Sequence, residues 1–197
     1  MFCFQCEQTA GCYACTGVQG VCGKKADTAQ LQDELTGALI GLARATEGNE
    51  DLVNETTNRV VVEGLFATIA TMHVSKDTLK ELLNQVEAEK KRLVPNCFAC
   101  ASSCGRTDNF DMQLLWQEEE DIRSLKALIL CGIRGMAAYA YHAAVLEYTE
   151  KEVMDFFYQA LVVIGMKDCG MAVLMPVVIE TGKMHLKCIE LLNKEKR

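Results

Sequence analysis

Apolar residues recur along this chain at alternating intervals of three and four, the spacing that places them on one face of an α-helix. The stripe from Leu31 to Ala45, for example, is spaced 4, 3, 4 and 3. No segment alternates apolar and polar residues for long enough to make a strand. The pattern predicts an all-α fold with six helices, three of them over about Thr28–Thr46, Glu55–Met72 and Glu119–Leu146.

Residues that cap or break helices mark where the helices begin and end. Asp27 is expected to cap the first helix and Ser75 the third, and Thr149 with Glu152 makes a capping box for the fifth. The sixth is expected to end near residue 194, with Pro176 in its first turns or at a kink. These signals predict six separate helices rather than a few long ones.

The six helices resemble an internal repeat. Leu31–Ala45 matches Leu125–Tyr139 at an offset of 94 residues, with Gly41 aligned on Gly135. Helices with such stripes pack as small antiparallel bundles. We therefore predict two consecutive three-helix bundles preceded by a cysteine-rich loop. The expected segments are a first cysteine loop over 1–25, a first bundle over 26–94, a second cysteine loop over 95–118 and a second bundle over 119–197.

Charge and composition narrow the possible functions. The formal net charge is −7 and the basic residues are scattered, which argues against a nucleic-acid partner. No uninterrupted apolar run reaches the roughly 18 residues that a membrane span needs. The first residues show neither a basic segment nor an apolar segment typical of a signal peptide. We expect a cytoplasmic protein without a membrane partner.

The chain has eleven cysteines among 197 residues, an unusually high number for a protein expected in the cytoplasm. In that reducing compartment they are not expected to form disulfides. Cys131, Cys169 and Cys188 are isolated and are expected to be small buried apolar residues. The other eight fall into two groups with short gaps, as is typical of metal ligation. The first group is Cys3, Cys6, Cys12, Cys15 and Cys22, and the second is Cys97, Cys100 and Cys104.

The first group provides more thiols than one metal centre needs. Four thiolates from one short loop can enclose an iron–sulfur cluster, and the adjacent Lys24 and Lys25 are placed to offset its negative charge. Two ligand sets fit the spacing. One is Cys3, Cys6, Cys15 and Cys22, and the other, which could hold tetrahedral zinc, is Cys3, Cys6, Cys12 and Cys15.

Several segments closely resemble the hybrid cluster proteins, also called prismane proteins or hydroxylamine reductases. They are MFCFQCEQTA from Met1, GVCGK from Gly20 and LQD from Leu31, followed by Asp121–Leu125 and Gly135–Ala143. The resemblance extends over essentially the whole chain. It implies the N-terminal helical domain of that family, which consists of two three-helix bundles.

The resemblance also implies a ligand set. In the family, the cluster is held by the first C-x-x-C pair and by two cysteines that flank the following glycine-rich stretch. On this chain these positions are Cys3, Cys6, Cys15 and Cys22, and Cys12 is an additional cysteine. Family members carry either four or two irons here. We expect a [4Fe–4S] cluster, with [2Fe–2S] as the alternative.

The family's reduction of hydroxylamine or nitric oxide takes place at a hybrid cluster held by two later α/β domains. This chain contains none of those ligands, so we expect no catalytic residue in it and leave open whether it is an enzyme by itself. The resemblance implies an electron-transfer domain that works with a redox partner protein as electron donor. The missing domains are expected in a longer form of the chain or in another chain, and a homo-oligomer is possible.

The second cysteine group leaves several interpretations open. Cys97, Cys100 and Cys104 could hold a second cluster or zinc, with Cys12 as the candidate fourth ligand, or they could be free thiols. Two alternatives to electron transfer follow from the cysteines. One is a zinc-stabilised helical interaction module, and the other is a stand-alone thiol redox sensor.

Overall fold

The computed structural model of the protein describes residues 1–3, 5–6, 13–69, 74–94 and 108–193. Within these residues the chain forms α-helices and no strand, which confirms the all-α prediction. A 3-10 helix, Glu50–Leu52, lies between the first two α-helices. The α-helices are α1 (Ala26–Thr46), α2 (Glu55–Ile69), α3 (Lys76–Leu93), α4 (Met112–Gln117), α5 (Glu120–Val145), α6 (Lys151–Gly165) and α7 (Met171–Asn193).

All six predicted helices are present, and α4 is an additional helix inside the segment expected to be a loop. The hydroxyl of Ser75 accepts a hydrogen bond from the N–H of Thr78, so the predicted cap of α3 is confirmed. Pro176 is the sixth residue of α7 and lies in its first two turns, as predicted. The expected ends of α2 at Met72 and of α7 near residue 194 lie outside the described residues.

Two predicted caps are wrong. Helix α1 begins at Ala26, and the N–H of Ala29 already bonds to the carbonyl of Lys25, so Asp27 lies inside the first turn instead of capping it. Helix α6 begins at Lys151 with no side-chain cap. The carboxylate of Glu152 pairs with Lys187 on α7 and is not available for a capping box.

The helices of the two predicted halves contact each other as well as their own neighbours. Helices α1, α2 and α3 are in mutual contact, and so are α5, α6 and α7. Helix α1 also packs on α6, and α2 packs on α5, so that one hydrophobic core runs through both halves. The boundaries at residues 26, 95 and 119 remain predictions.

Helix α5 is central to this packing. Among the described residues it is the one helix that is long and apolar enough, by length and composition, to cross a membrane. Helix α5 contains no uninterrupted apolar run of that length, because charged residues interrupt its sequence. In the structure α5 contacts α2, α4, α6 and α7, as the core helix of a bundle does. The absence of a membrane partner remains a prediction.

The segment before α4 lies directly on the backbone of α1. The N–H of Phe110 donates a hydrogen bond of 3.0 Å to the carbonyl of Gly37. A Cβ atom at Gly37 would overlap the carbonyl oxygen of Phe110, so only glycine permits this approach. This contact positions α4, whose Trp116 side chain reaches the N-terminal loop.

A buried ion pair joins α5 to the elements on either side of it. The side chain of Lys126 is fully buried, and its ammonium group donates to Glu118 Oε1 and to the carbonyl of Met166, both at 2.7 Å. These bonds tie the residue after α4 and the end of α6 to α5. The pair compensates a charge that burial alone would make costly.

We predict that Gly37→Ala lowers the free energy of unfolding by about 1–3 kcal/mol, because the added methyl group forces α1 and the Phe110 segment apart. The matched control is Gly182→Ala on α7, where a Cβ atom meets nothing within 4 Å. The control should stabilise the protein by about 0.5–1 kcal/mol through helix propensity. Urea unfolding at constant slope measures both. Equal effects of the two substitutions would contradict the close approach.

We predict that Lys126→Met destabilises the fold by about 1–3 kcal/mol, because the carbonyl of Met166 and the carboxylate of Glu118 lose their partner. Lys151→Met, which removes an exposed pair with Asp155, is the control and should leave the thermal midpoint nearly unchanged. A similar drop in both midpoints would show that the buried pair is not special.

Candidate metal centre

Two of the predicted ligands lie opposite each other in an antiparallel bridge. The N–H of Cys3 donates to the carbonyl of Cys15 at 3.1 Å, and the N–H of Cys15 donates to the carbonyl of Cys3 at 2.7 Å. Directly opposite residues of an antiparallel pair have Cβ atoms about 4.5–5.5 Å apart on the same face. The bridge therefore brings together one thiol of the C-x-x-C pair and one thiol of the following segment.

Cys22 lies in the turn of a second small hairpin. Gln19 and Lys25 form a bridge, and the N–H of Gly23 closes the turn on the carbonyl of Gly20 at 2.8 Å. Gly23 has φ = 84°, a left-handed conformation that glycine adopts without strain. The hairpin leads directly into α1, so Cys22 is connected to the helical body within a few residues.

The four thiols differ in their surroundings. Cys3 is buried, Cys15 is half-buried, and Cys6 and Cys22 are exposed. The N–H of Val21 donates to Cys15 Sγ at 3.5 Å. A cavity of about 250 Å³ is bordered by Cys15 and by its neighbours between residues 13 and 21. The loop thus provides sulfur donors, a main-chain N–H directed at a sulfur, and space beside it.

The four candidate ligands that the structure describes, Cys3, Cys6, Cys15 and Cys22, do not converge on one point. Within the residues that it describes, no three His, Cys, Asp or Glu side chains are close enough together to hold a metal ion. The set Cys3, Cys6, Cys15 and Cys22 therefore remains a prediction. The other candidates, Cys12, Cys97, Cys100 and Cys104, lie outside the described residues.

Gln5, between the two cysteines of the C-x-x-C pair, attaches the loop to the helices. Its side-chain amide donates to the carbonyl of Ala29 at 3.1 Å and to Asp33 Oδ1 at 2.8 Å. Its side-chain oxygen accepts from Lys24 Nζ at 2.6 Å. Lys24 is only 5% exposed, whereas Lys25 is exposed, so the two lysines expected to act together have different environments.

Arg134 of α5 also reaches this loop, and sequence reasoning missed it. Its guanidinium donates to the main-chain carbonyl of Gln5 at 3.3 Å and to the hydroxyls of Thr68 and Thr36 at 2.9 and 3.0 Å. It is 4% exposed. The available signal was a charged residue on the buried stripe of α5, where Leu130 and Ala137 lie one turn to either side.

The electrostatics of the loop follow from burial. Burial raises the pKa of the Cys3 thiol, although the main-chain N–H of Gln5 and the charge of Lys24 lower it. Burial also raises the pKa of the Asp33 carboxyl, against the hydrogen bond from Gln5. Burial lowers the pKa of the Arg134 guanidinium, and nearby Asp33 and the cysteine sulfurs oppose that change. The buried cations Lys24 and Arg134 therefore both contact Gln5, beside cysteines that iron would bind as thiolates.

The start of the chain is fixed at two further points. The N-terminal amino group donates to the carbonyl of Gly17 at 2.8 Å. The rings of Phe2 and Trp116 meet edge to face with centroids 5.5 Å apart, and the guanidinium of Arg123 lies 4.7 Å from the Trp116 ring centroid. The N-terminal loop is therefore held against α4 as well as against α1 and α5.

The isolated cysteines divide into two kinds. Cys169 and Cys188 are buried, as predicted, and burial raises the pKa of the Cys188 thiol to about 11. Cys131 is exposed on α5, so the expectation that it is buried is wrong. The alternating stripe of α5 passes through its neighbours Leu130 and Ile133 and leaves Cys131 on the outer side.

Comparison with known proteins agrees with the resemblance. The model of the Prismane/CO dehydrogenase family matches residues 1–196. Curated relatives include the hydroxylamine reductases of Clostridium perfringens, at 37% identity, and of Clostridium novyi, at 34%. Each alignment covers 98% of this chain but only 39% and 38% of the relative, so the chain spans about two fifths of their length. The chain belongs to the Prismane/CO dehydrogenase family.

Proposed function

We propose that this chain is an iron–sulfur electron-transfer domain whose cluster is held by Cys3, Cys6, Cys15 and Cys22. The observation that carries the proposal is the bridge that pairs Cys3 with Cys15, next to a C-x-x-C turn bounded by buried cations. The donor set is soft sulfur, which suits iron–sulfur clusters. An anionic cluster in this position would also have the positive neighbours that it requires.

The residues of this chain would hold and shield the group. The four thiolates would bind the irons, and the N–H of Val21 points at the Cys15 sulfur. The packing of Phe2 on Trp116 covers one side of the loop. When bound, the cluster supplies reversible one-electron storage without breaking a bond to the protein. Both [4Fe–4S] and [2Fe–2S] clusters accept four cysteines, so the donor set does not distinguish them. We propose the [4Fe–4S] form on the family resemblance.

The relatives' name, hydroxylamine reductase, describes a reduction, and every reduction needs a supply of electrons. The matched region is about two fifths of those proteins. We assign the chemistry on the nitrogen substrate to the part of the relatives that this chain does not match, and the delivery of electrons to the matched part. A redox partner protein would donate each electron, and the substrate-reducing domains would accept it.

The metal content of the purified protein tests the proposal. After anaerobic purification we expect a brown protein with about four iron and four acid-labile sulfide per chain, or about two of each for the smaller cluster. A zinc-stabilised module would instead be colourless, with about one zinc per chain and no sulfide. A metal-free chain, or one that binds only zinc, would contradict electron transfer and leave the zinc module or the thiol sensor.

Single substitutions test which cysteines bind the iron. We predict that Cys22→Ser abolishes the iron and sulfide content, whereas Cys12→Ser keeps both, because the ligand set includes Cys22 and excludes Cys12. Cys131→Ser is the matched control for a surface cysteine. The double variant Cys97→Ser with Cys100→Ser should also keep the N-terminal cluster. Loss of all iron in that double variant would show that the two cysteine groups form one site.

A further inference from the structure

Arg134 is a buried cation, and its hydrogen-bond partners among the described residues are neutral. They are the hydroxyls of Thr36 and Thr68 and the carbonyl of Gln5. None of the ion pairs formed by the described residues includes Arg134. The contrast is Lys126 on the same helix, which is equally buried but pairs with Glu118. A buried charge without a counter-charge is costly, so this position calls for a negative partner.

The direction in which Arg134 points suggests that partner. Its guanidinium donates at 3.3 Å to the carbonyl of Gln5, the residue that lies between Cys3 and Cys6 in the C-x-x-C pair. The sulfurs of Cys3, Cys6 and Cys131 are close enough for their charges to act on it. Lys24, also buried, donates to the side chain of Gln5 from another side. Both cations therefore meet at the turn between the first two predicted ligands.

Among the described residues, Asp33 is the carboxylate whose charge acts on Arg134, and it does not fill this role. It makes no ion pair with the guanidinium among the described contacts, and its oxygen accepts from the Gln5 amide instead. Burial raises the pKa of its carboxyl, against the hydrogen bond from Gln5. Within the part of the chain that the structure describes, the other negative groups that act on Arg134 are cysteine sulfurs, two of them in the C-x-x-C pair that flanks Gln5.

We propose that Arg134 is the internal counter-charge of the cluster and raises its reduction potential. This inference rests on the proposed function, because it requires a cluster on the C-x-x-C turn. An added electron makes the cluster more negative, and a fixed positive charge in a low-dielectric interior stabilises that reduced form. Arg134 donates to the main chain of Gln5 rather than to a ligand sulfur, so it is a positioning residue whose charge acts across Gln5. It is contributed by α5, so the second half of the chain tunes a centre held by the first residues.

The test compares neutral and charged replacements in this chain after anaerobic loading of the cluster. Arg134→Gln and Arg134→Met remove the charge, and Arg134→Lys keeps it. Arg92→Gln is the matched control, since Arg92 also donates to a threonine hydroxyl and a main-chain carbonyl but is paired with Glu89. The midpoint potential of the cluster is measured by redox titration followed by electron paramagnetic resonance, with iron and sulfide content measured in parallel.

We expect the neutral variants to shift the midpoint to lower potential, Arg134→Lys to remain nearer the wild type, and Arg92→Gln to leave it unchanged. The shift should persist at high salt, because the charge is buried.

Two results would overturn the inference while leaving the proposed function intact. One is an unchanged potential in a neutral variant that holds its iron, and the other is loss of the cluster in the lysine and neutral variants alike. Failure of both neutral variants to fold while Arg134→Lys folds would make Arg134 a folding residue and also count against it. A wild-type chain without iron and sulfide would instead overturn the proposed function.

Discussion

The hydrogen bonds of Gln5 attach the C-x-x-C pair of the cysteine loop to α1, to the hairpin and to α5. Phe2 packs against Trp116, but most residues between 13 and 25 are exposed, so packing alone does not fix the loop. Gln5 binds Ala29 and Asp33 on α1, Lys24 in the hairpin, and Arg134 on α5. These bonds hold the C-x-x-C turn in one place relative to Cys15 and the helices. The ligand geometry that we propose requires that fixed position.

The same bonds connect the fold to the proposed chemistry. The two halves of the chain share one core through the contacts of α1 with α6 and α2 with α5. That core brings the middle of α5 next to the N-terminal residues. In this position the buried Arg134 reaches the carbonyl of Gln5. A helical scaffold of this kind supports a centre in two ways. It keeps the loop in position, and it provides charge from a distant part of the sequence.

The sequence was sufficient for the helices and for part of the site. Periodic stripes predicted every long helix because each buries one face against its neighbours, and Ser75 was a correct cap. Asp27 failed as a cap because main-chain bonding begins at Lys25, and α4 was missed because six residues are too short to show a helical period. The prediction that Cys131 is buried was wrong, because a lone cysteine does not indicate which face of a helix it lies on.

Arg134 shows what a local pattern could not supply. Its role depends on contacts with Gln5, which is close to Cys3 in the sequence, and with Thr68. Only tertiary packing brings these residues together. The burial of Lys24 and the exposure of Lys25 are likewise set by the hairpin rather than by their shared sequence neighbourhood. Residue types and spacing predicted that the loop binds a metal. The electrostatic surroundings of the thiols became visible only in three dimensions.

The central claim is that sulfur atoms from the first residues converge on iron and sulfide. The most direct measurement is a crystal structure of the anaerobically purified protein, with anomalous scattering recorded at the iron absorption edge. Our account predicts one compact iron peak bounded by the sulfurs of Cys3, Cys6, Cys15 and Cys22. An iron peak elsewhere in the molecule, or four sulfurs too far apart to share one group, would contradict it.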